Sequence, residues 1–366
     1  MQPPLHPHGR ERLRSWRLRH LAVPRRQASR MTSPDIHSKD NPLLSHQTAR
    51  HMTSKILHLF TRTPLHVGAG ASIGAIDQPI QRERHTGFPI IPGSSLKGSF
   101  ADQWPATHDN GKGSKQRLSA ENSDVDGKKK VVLKQADEAA WLFGSDTTDL
   151  PFAGSLLFSE ARLLAFPIRS AKGSYAWITC PLMLQRAGRD GVISAQIPEE
   201  PKDKQAIFKG DGPLALDNQI VLEEYCFTHS GTYPAELATA LAGLIDDELF
   251  KSIASRLVIL SNGIMSHFVT TTCEVAQHVR ISDETGTADP GGLFNQENVP
   301  ADALFYSVIS ATSSRVPAGD LQKKTIDDAL STFSQMVEKT KVFQFGGDAS
   351  TGLGFCSVTL NEKKGA

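Results

Sequence analysis

At 366 residues the chain can bury one large core or two smaller ones. Hydrophobic residues make up 39% and charged residues 22%, the balance of an ordinary soluble protein, and no apolar run reaches about 18 residues, so no transmembrane helix and no membrane partner are expected. The formal charge of +1 hides an asymmetry: residues 1–51 carry +7 and the rest −6, so a nucleic acid would have to be met by a local basic groove.

The N-terminal 51 residues are rich in Arg, Pro, His and Ser and show little apolar periodicity. They read as a targeting peptide, as a basic RNA-binding arm, or as a disordered or misannotated extension ahead of a start at Met52. A single domain is expected over 52–366. Cys180, Cys226, Cys273 and Cys356 are widely spaced and form no CxxC, which argues against a zinc site or a secreted disulfide framework and for a reducing cytoplasm.

Within the domain a first strand leads through Leu65 and His66 into a glycine-rich segment (Gly68, Gly70, Gly74) that ends at Asp77. The alternating charges Arg82, Glu83 and Arg84 come next, then Gly93-Ser94-Ser95-Leu96-Lys97-Gly98, a loop turning into a helix with Ser94 or Ser95 as N-cap. The polar run 105–135 reads as a flexible insertion. Strands are expected over Ala153–Pro167, Tyr175–Cys180, Ile220–Phe227 and Leu304–Ile309, and 185–219 reads as a second insertion, a protruding hairpin. Pro234–Leu257 and Asp320–Lys341 have helical periodicity. A glycine-rich loop, Gly346 to Gly354, precedes a last strand. The pattern implies an α+β domain, an antiparallel sheet with helices on one face and long insertions.

Several groups carry candidate chemistry. The serines and amides of 93–98, with the charge of Lys97, suit a phosphate; a plain helix cap with a surface lysine fits as well, and the P-loop pattern is not met. Gly346, Gly347, Ser350 and Thr351 suit a backbone cradle or a tight turn. His66 and Asp77, eleven residues apart, pair an imidazole with a carboxylate, one able to protonate a leaving oxygen, the other to take a 2′-hydroxyl proton or hold a divalent metal. Both residue types are also common structural fixtures at such places. Glu223 and Tyr225 would share one face of a strand.

Taken together, LHVGAG, IDQPIQRERHTGFPIIPGSSLKG, LFG at Leu142–Gly144, the segment from Ala153 to Pro181, RISDETGTADPGGLF and GGDASTGLGF resemble the RAMP superfamily of CRISPR proteins, and within it the backbone subunits of type III-B (Cmr) effector complexes. The resemblance implies an RRM-like, ferredoxin-type core with thumb-like insertions. It implies copies assembled in a helical filament along a CRISPR guide RNA with other Cmr subunits, each cutting the paired target RNA at regular intervals with a divalent metal, magnesium or manganese, in antiviral defence. The family's catalytic aspartate falls on Asp77, its histidine on His66 and its Glu-x-Tyr pair on Glu223 and Tyr225. Its phosphate-holding residues fall on Ser94, Ser95 and Lys97, and Arg82 joins the RNA-binding set. Where the family carries acidic residues this chain has Asn262-Gly263-Ile264-Met265 and Gln296-Glu297-Asn298, departures expected to bear on subunit contacts more than on chemistry. The alternatives are a non-catalytic guide-binding backbone, a stand-alone enzyme processing CRISPR repeat RNA, and an unrelated phosphate-binding metabolic enzyme.

Overall fold

A computed structural model describes residues 53–364 apart from 71, 73, 106, 107, 110–114, 126 and 127; the expectation for residues 1–51 lies outside the described residues. The elements that place the site are β1 (Ser54–Thr61), α1 (Gly93–Gln103), β2 (Ala161–Ser170), β3 (Ser174–Thr179), α2 (Pro181–Asp190), α3 (Asn262–Thr271), β4 (Glu274–Ile281), β5 (Ala288–Asn298), β6 (Leu304–Ala311), α4 (Ile326–Thr340) and β7 (Phe355–Glu362). The fold is mixed α+β.

The central strands lie in the order β2–β6–β1–β7, every pairing antiparallel. β1 alternates two apolar sets and is buried through most of its length. Leu57 and Leu59 face the core that holds α1 and α4, where Phe100 and Phe333 meet edge to face at 5.0 Å. Ile56 and Phe60 face a second core with Trp177, Leu237, Leu241 and Phe250. The sheet is therefore covered on both faces. The expectation of helices on one face fails because alternate residues of β1 are apolar on both sides, as in a strand with no solvated face.

Beyond β2 the sheet continues through β3, Leu257–Ile259, Gln205–Ile207, Tyr225–Gly231 and Gln219–Leu222. Residues 185–219 are thus not a protruding hairpin. Gln205–Ile207 pairs with two strands of the sheet, and Ala206, Phe208, Leu214 and Ala215 are buried. The expected flexible stretch 105–135 contains an antiparallel pairing of Leu118–Val125 with Lys128–Ala136. The expected long helix over 234–257 breaks into three short ones, at 235–242, 248–251 and 253–256. β4 and β5 form a separate two-stranded hairpin.

Candidate active site

After β1 the chain turns, and Leu65 exchanges backbone hydrogen bonds with Val299 at the end of β5, 2.8 and 2.9 Å. That rung sets the buried His66 against Glu297, whose carbonyl oxygen lies 2.7 Å from His66 Nδ1. A carbonyl only accepts, so Nδ1 carries the proton and Nε2 is the nitrogen left for chemistry. Nε2 points at Gly68, where a Cβ would stand 3.0 Å away.

The loop that follows is laid along β5. Gln78 N–H donates to Asn295 O (3.1 Å) and Glu297 N–H donates to Gln78 O (2.9 Å). Asp77 is gripped by Asn295 in both directions: its N–H donates to Asn295 Oδ1 (2.8 Å), and its Oδ2 accepts from Asn295 N–H (2.9 Å). His66 and Asp77, with Gly68, Gly70, Gln78 and Pro79, line one cleft of about 290 Å³. The pair picked out in the sequence is therefore brought together.

Other expectations need correction. Arg82 turns inward instead of lying open to a ligand. It is 17% exposed and spends its donors on the carbonyls of Gly87 and Val269, on Cys273 Sγ and on the carboxylate of Glu297. Glu297 also accepts from Ile80 N–H at 3.1 Å. Gln296 donates to Asp348 Oδ2 at 3.0 Å. Residues 295–297 are thus part of the site's frame, not a remote contact surface. The separation of over two hundred residues concealed this; the one local signal is an unbroken polar run, Asn295 to Asn298, in a strand that ends buried.

Glu223 and Tyr225 do not share a strand. Gln219–Leu222 and Tyr225–Gly231 are the arms of a hairpin, and Glu223 sits in its turn at φ 51°. Glu223 pairs with Arg169 (2.9 Å), and Tyr225 Oη shares a hydrogen bond with His267 Nε2 (3.1 Å). Together they line a different cleft, of about 330 Å³, with Glu224, Phe268, Thr271 and Thr272. Asp77 and His66 are not among its lining residues.

In α1 the N-cap is Pro92, not a serine, and no side-chain cap bond forms. Ser94 is exposed, Ser95 and Lys97 half-buried, and Lys97 makes no ion pair among the described residues. Part of the glycine loop's backbone is already engaged within the protein. Gly347 N–H donates to His66 O (2.9 Å), Gly354 N–H to Pro64 O (2.8 Å) and Leu353 N–H to Asp348 O (3.2 Å). Gly346, at φ 76°, must lack a side chain because a Cβ there would collide with His66 O. Ser350 and Thr351 are exposed.

No three His, Cys, Asp or Glu side chains converge as a metal set among the described residues. Asp77 Oδ2 and His66 Nδ1 already have protein partners. The donor set does not fit a metal caged by the protein alone. Beside the site stands the β4–β5 hairpin. Val275, Val279, Ile281 and Leu293 on it are each more than half exposed, and Val279 lies directly opposite Leu293.

A sheet with an imidazole–carboxylate cleft at the end of its first strand, and a hairpin reaching out beside it, defines a class: the chain belongs to the RAMP superfamily, whose family profile matches residues 59–357. It is 32% identical to the CRISPR system Cmr endoribonuclease Cmr4 of Pyrococcus furiosus over 322 residues, 85% of this chain and 97% of that protein. The crystal structure of oligomeric Cmr4 from the same organism superposes with a TM-score of 0.58 at 27% identity, covering 86% of this chain and all of the other. A chain of the type III-B Cmr-beta complex bound to cognate target RNA shares the fold, with a TM-score of 0.57 at 18% identity, covering 84% of this chain and 96% of its own.

Proposed function

We propose that this chain is a backbone subunit of a type III-B CRISPR effector complex, which holds the guide RNA and cuts the paired target RNA. The observation that carries the reading is the shared cleft of His66 and Asp77, with the histidine tautomer set by Glu297 and the carboxylate held by Asn295. Similarity to an endoribonuclease over 85% of this chain and 97% of that protein supports it. The order β7–β1–β6–β2, with α1 and α4 crossing one face, is read as the RRM-like, ferredoxin-type core.

In the proposed reaction Asp77 takes the proton of a 2′-hydroxyl. That oxygen attacks the adjacent phosphorus, and the P–O5′ bond breaks as His66 Nε2–H, in the protonated ring, gives its proton to the departing O5′. The products are a 2′,3′-cyclic phosphate and a 5′-hydroxyl. Among the described residues no cage for a divalent ion is supplied.

Lys97, Ser94 and Ser95 meet guide phosphates, and Ser350 and Thr351 offer hydroxyls; such contacts ignore sequence, which is read by guide–target pairing. The apolar face of the β4–β5 hairpin presses into the paired RNA and splays a nucleotide so that its 2′-hydroxyl can align in line. Further copies of this chain and other Cmr subunits complete the filament, in the cytoplasm. No helix among the described residues is long and apolar enough to cross a membrane.

The test is target cleavage by the reconstituted complex, wild type against Asp77→Ala, with guide binding and product ends measured in parallel. Loss of cutting with intact guide binding, and cyclic-phosphate ends in the wild type, is the expected result. Persistent cutting overturns the reading and leaves the subunit a scaffold, and 5′-phosphate ends overturn the 2′-hydroxyl mechanism.

A further inference from the structure

Each of the cleft's two reactive side chains meets a main-chain group of β5, but the backbone beneath them is held by different means. His66 is fixed through a main-chain carbonyl, which no substitution removes. Asp77 lies in an exposed loop after glycines 68, 70 and 74, where nothing about its own backbone would fix a carboxylate. The loop is pinned to β5 through Gln78, and at Asp77 itself the fixity comes from one residue. Asn295 accepts from Asp77 N–H, donates its own N–H to Asp77 Oδ2, and donates Nδ2–H to Ala75 O at 3.0 Å. Two points on Asp77 are thereby anchored, backbone nitrogen and one carboxylate oxygen, so the direction of Oδ1 is set. Among the described residues Oδ1 has no protein partner.

The bond to Asp77 Oδ2 comes from the Asn295 main-chain N–H and survives any substitution but proline; the other two need an amide side chain. Its oxygen accepts from Asp77 while its nitrogen donates to Ala75; a carboxylate cannot donate, and would set a second negative charge against Asp77. Asn295 is also continuous with the hairpin: its neighbours Gln296 and Glu297 hold the glycine loop and the His66 side of the cleft.

Resting on the reading of Asp77 as a catalytic group, we propose that Asn295 is the positioning residue that aims the Asp77 carboxylate at the RNA. Its side chain touches no reacting atom; it acts by holding the backbone at Ala75 and Asp77 so that the carboxylate meets the Asn295 N–H, and it does so from the foot of the hairpin that meets the RNA.

The test uses the reconstituted complex under single-turnover conditions. Asn295→Ala is expected to cut about tenfold slower, the cost of a misaimed group rather than an absent one, with target affinity, guide binding and Tm unchanged. The near-isosteric Asn295→Asp, which cannot donate to Ala75, is expected to fall at least as far. The deciding readout is background dependence. Asn295→Ala should lower the residual rate again in a His66→Ala background and leave it unchanged in an Asp77→Ala background. A residue that merely supports the fold would slow both backgrounds alike, and that outcome overturns the proposal, as do wild-type rates in both Asn295 variants. If Asp77→Ala itself cuts like wild type, it is the catalytic reading of Asp77 that fails.

Discussion

The pairing of Arg82 with Glu297 predicts that Arg82 serves the fold and not RNA binding. Both side chains are largely removed from solvent, 17% and 5% exposed. Arg82 adds bonds to Gly87 O (2.7 Å), Val269 O (2.8 Å) and Cys273 Sγ (3.3 Å). Truncating it to alanine would strand a buried carboxylate and two carbonyls, and breaking a buried pair from one side costs about 3–5 kcal/mol. At about 2 °C per kcal/mol for a chain of this length, Arg82→Ala should lower Tm by about 6–10 °C. The salt dependence of guide-RNA binding, measured on the folded variant at reduced temperature, should keep its wild-type slope. Lys97→Ala should do the reverse, leaving Tm in place and reducing the log–log slope by about 0.7, one single-strand phosphate contact. An Arg82→Ala protein with unchanged Tm and a shallower slope would refute the structural assignment.

Gly346→Ala should destabilise the fold and slow cleavage together, because both the left-handed φ and the His66 carbonyl oppose a Cβ; thermal melts and cleavage rates on one preparation check this. Burial, with Lys364 adding to it, drives the imidazole of His58 down to about 3, and its Nε2 has no partner among the described residues. The unfolded chain binds that proton near pH 6.5, so the neutral ring's contribution is whole above pH 6.5. It is lost as pH falls toward 3, by about 1.4 kcal/mol per unit. Denaturant titrations at pH 7 and pH 5 should therefore differ by about 2 kcal/mol from this group, and His58→Leu should remove most of that difference. Leu293→Asp, on the exposed face of the hairpin, should leave Tm within about 2 °C, a surface change of under a kcal/mol. It should impair cleavage of paired target more than guide binding; equal loss of both would argue against the hairpin's role.

Much of the site could be read from the sequence because its chemistry is local. Glycines between His66 and Asp77 announce a loop, yet Gly70 and Gly74 meet nothing within 4 Å; the close backbone approach is made by Gly346 against His66 O. What stayed hidden depended on partners far away in the chain. Arg82, Glu83 and Arg84 look like an exposed charged stretch, yet Arg82 turns in to Glu297 and Glu83 to Arg186. Alternating charge says nothing about pairing across two hundred residues. Glu223 and Tyr225 were misplaced because a two-residue turn with a non-glycine at positive φ carries no strong turn signature. The helix α3 was missed because Gly263 and a run of threonines are poor helix formers. Its signal was the spacing of Met265, Phe268 and Val269, all buried, behind a Ser261 cap that accepts from Ile264 N–H.

The glycines of the 346–354 loop have a thermodynamic consequence. Their usual meaning is freedom, and freedom is lost, at a cost of about 1–2 kcal/mol per residue, when a ligand stills the backbone. Here the missing side chains let two stretches of main chain touch, and the amides of Gly347, Gly354 and Leu353 are already bonded to His66, Pro64 and Asp348. The ordering cost was met when the protein folded. RNA arriving beside it therefore meets a surface with little entropy left to lose, and amide exchange at Gly347 and Gly354 should be slow before any RNA is added.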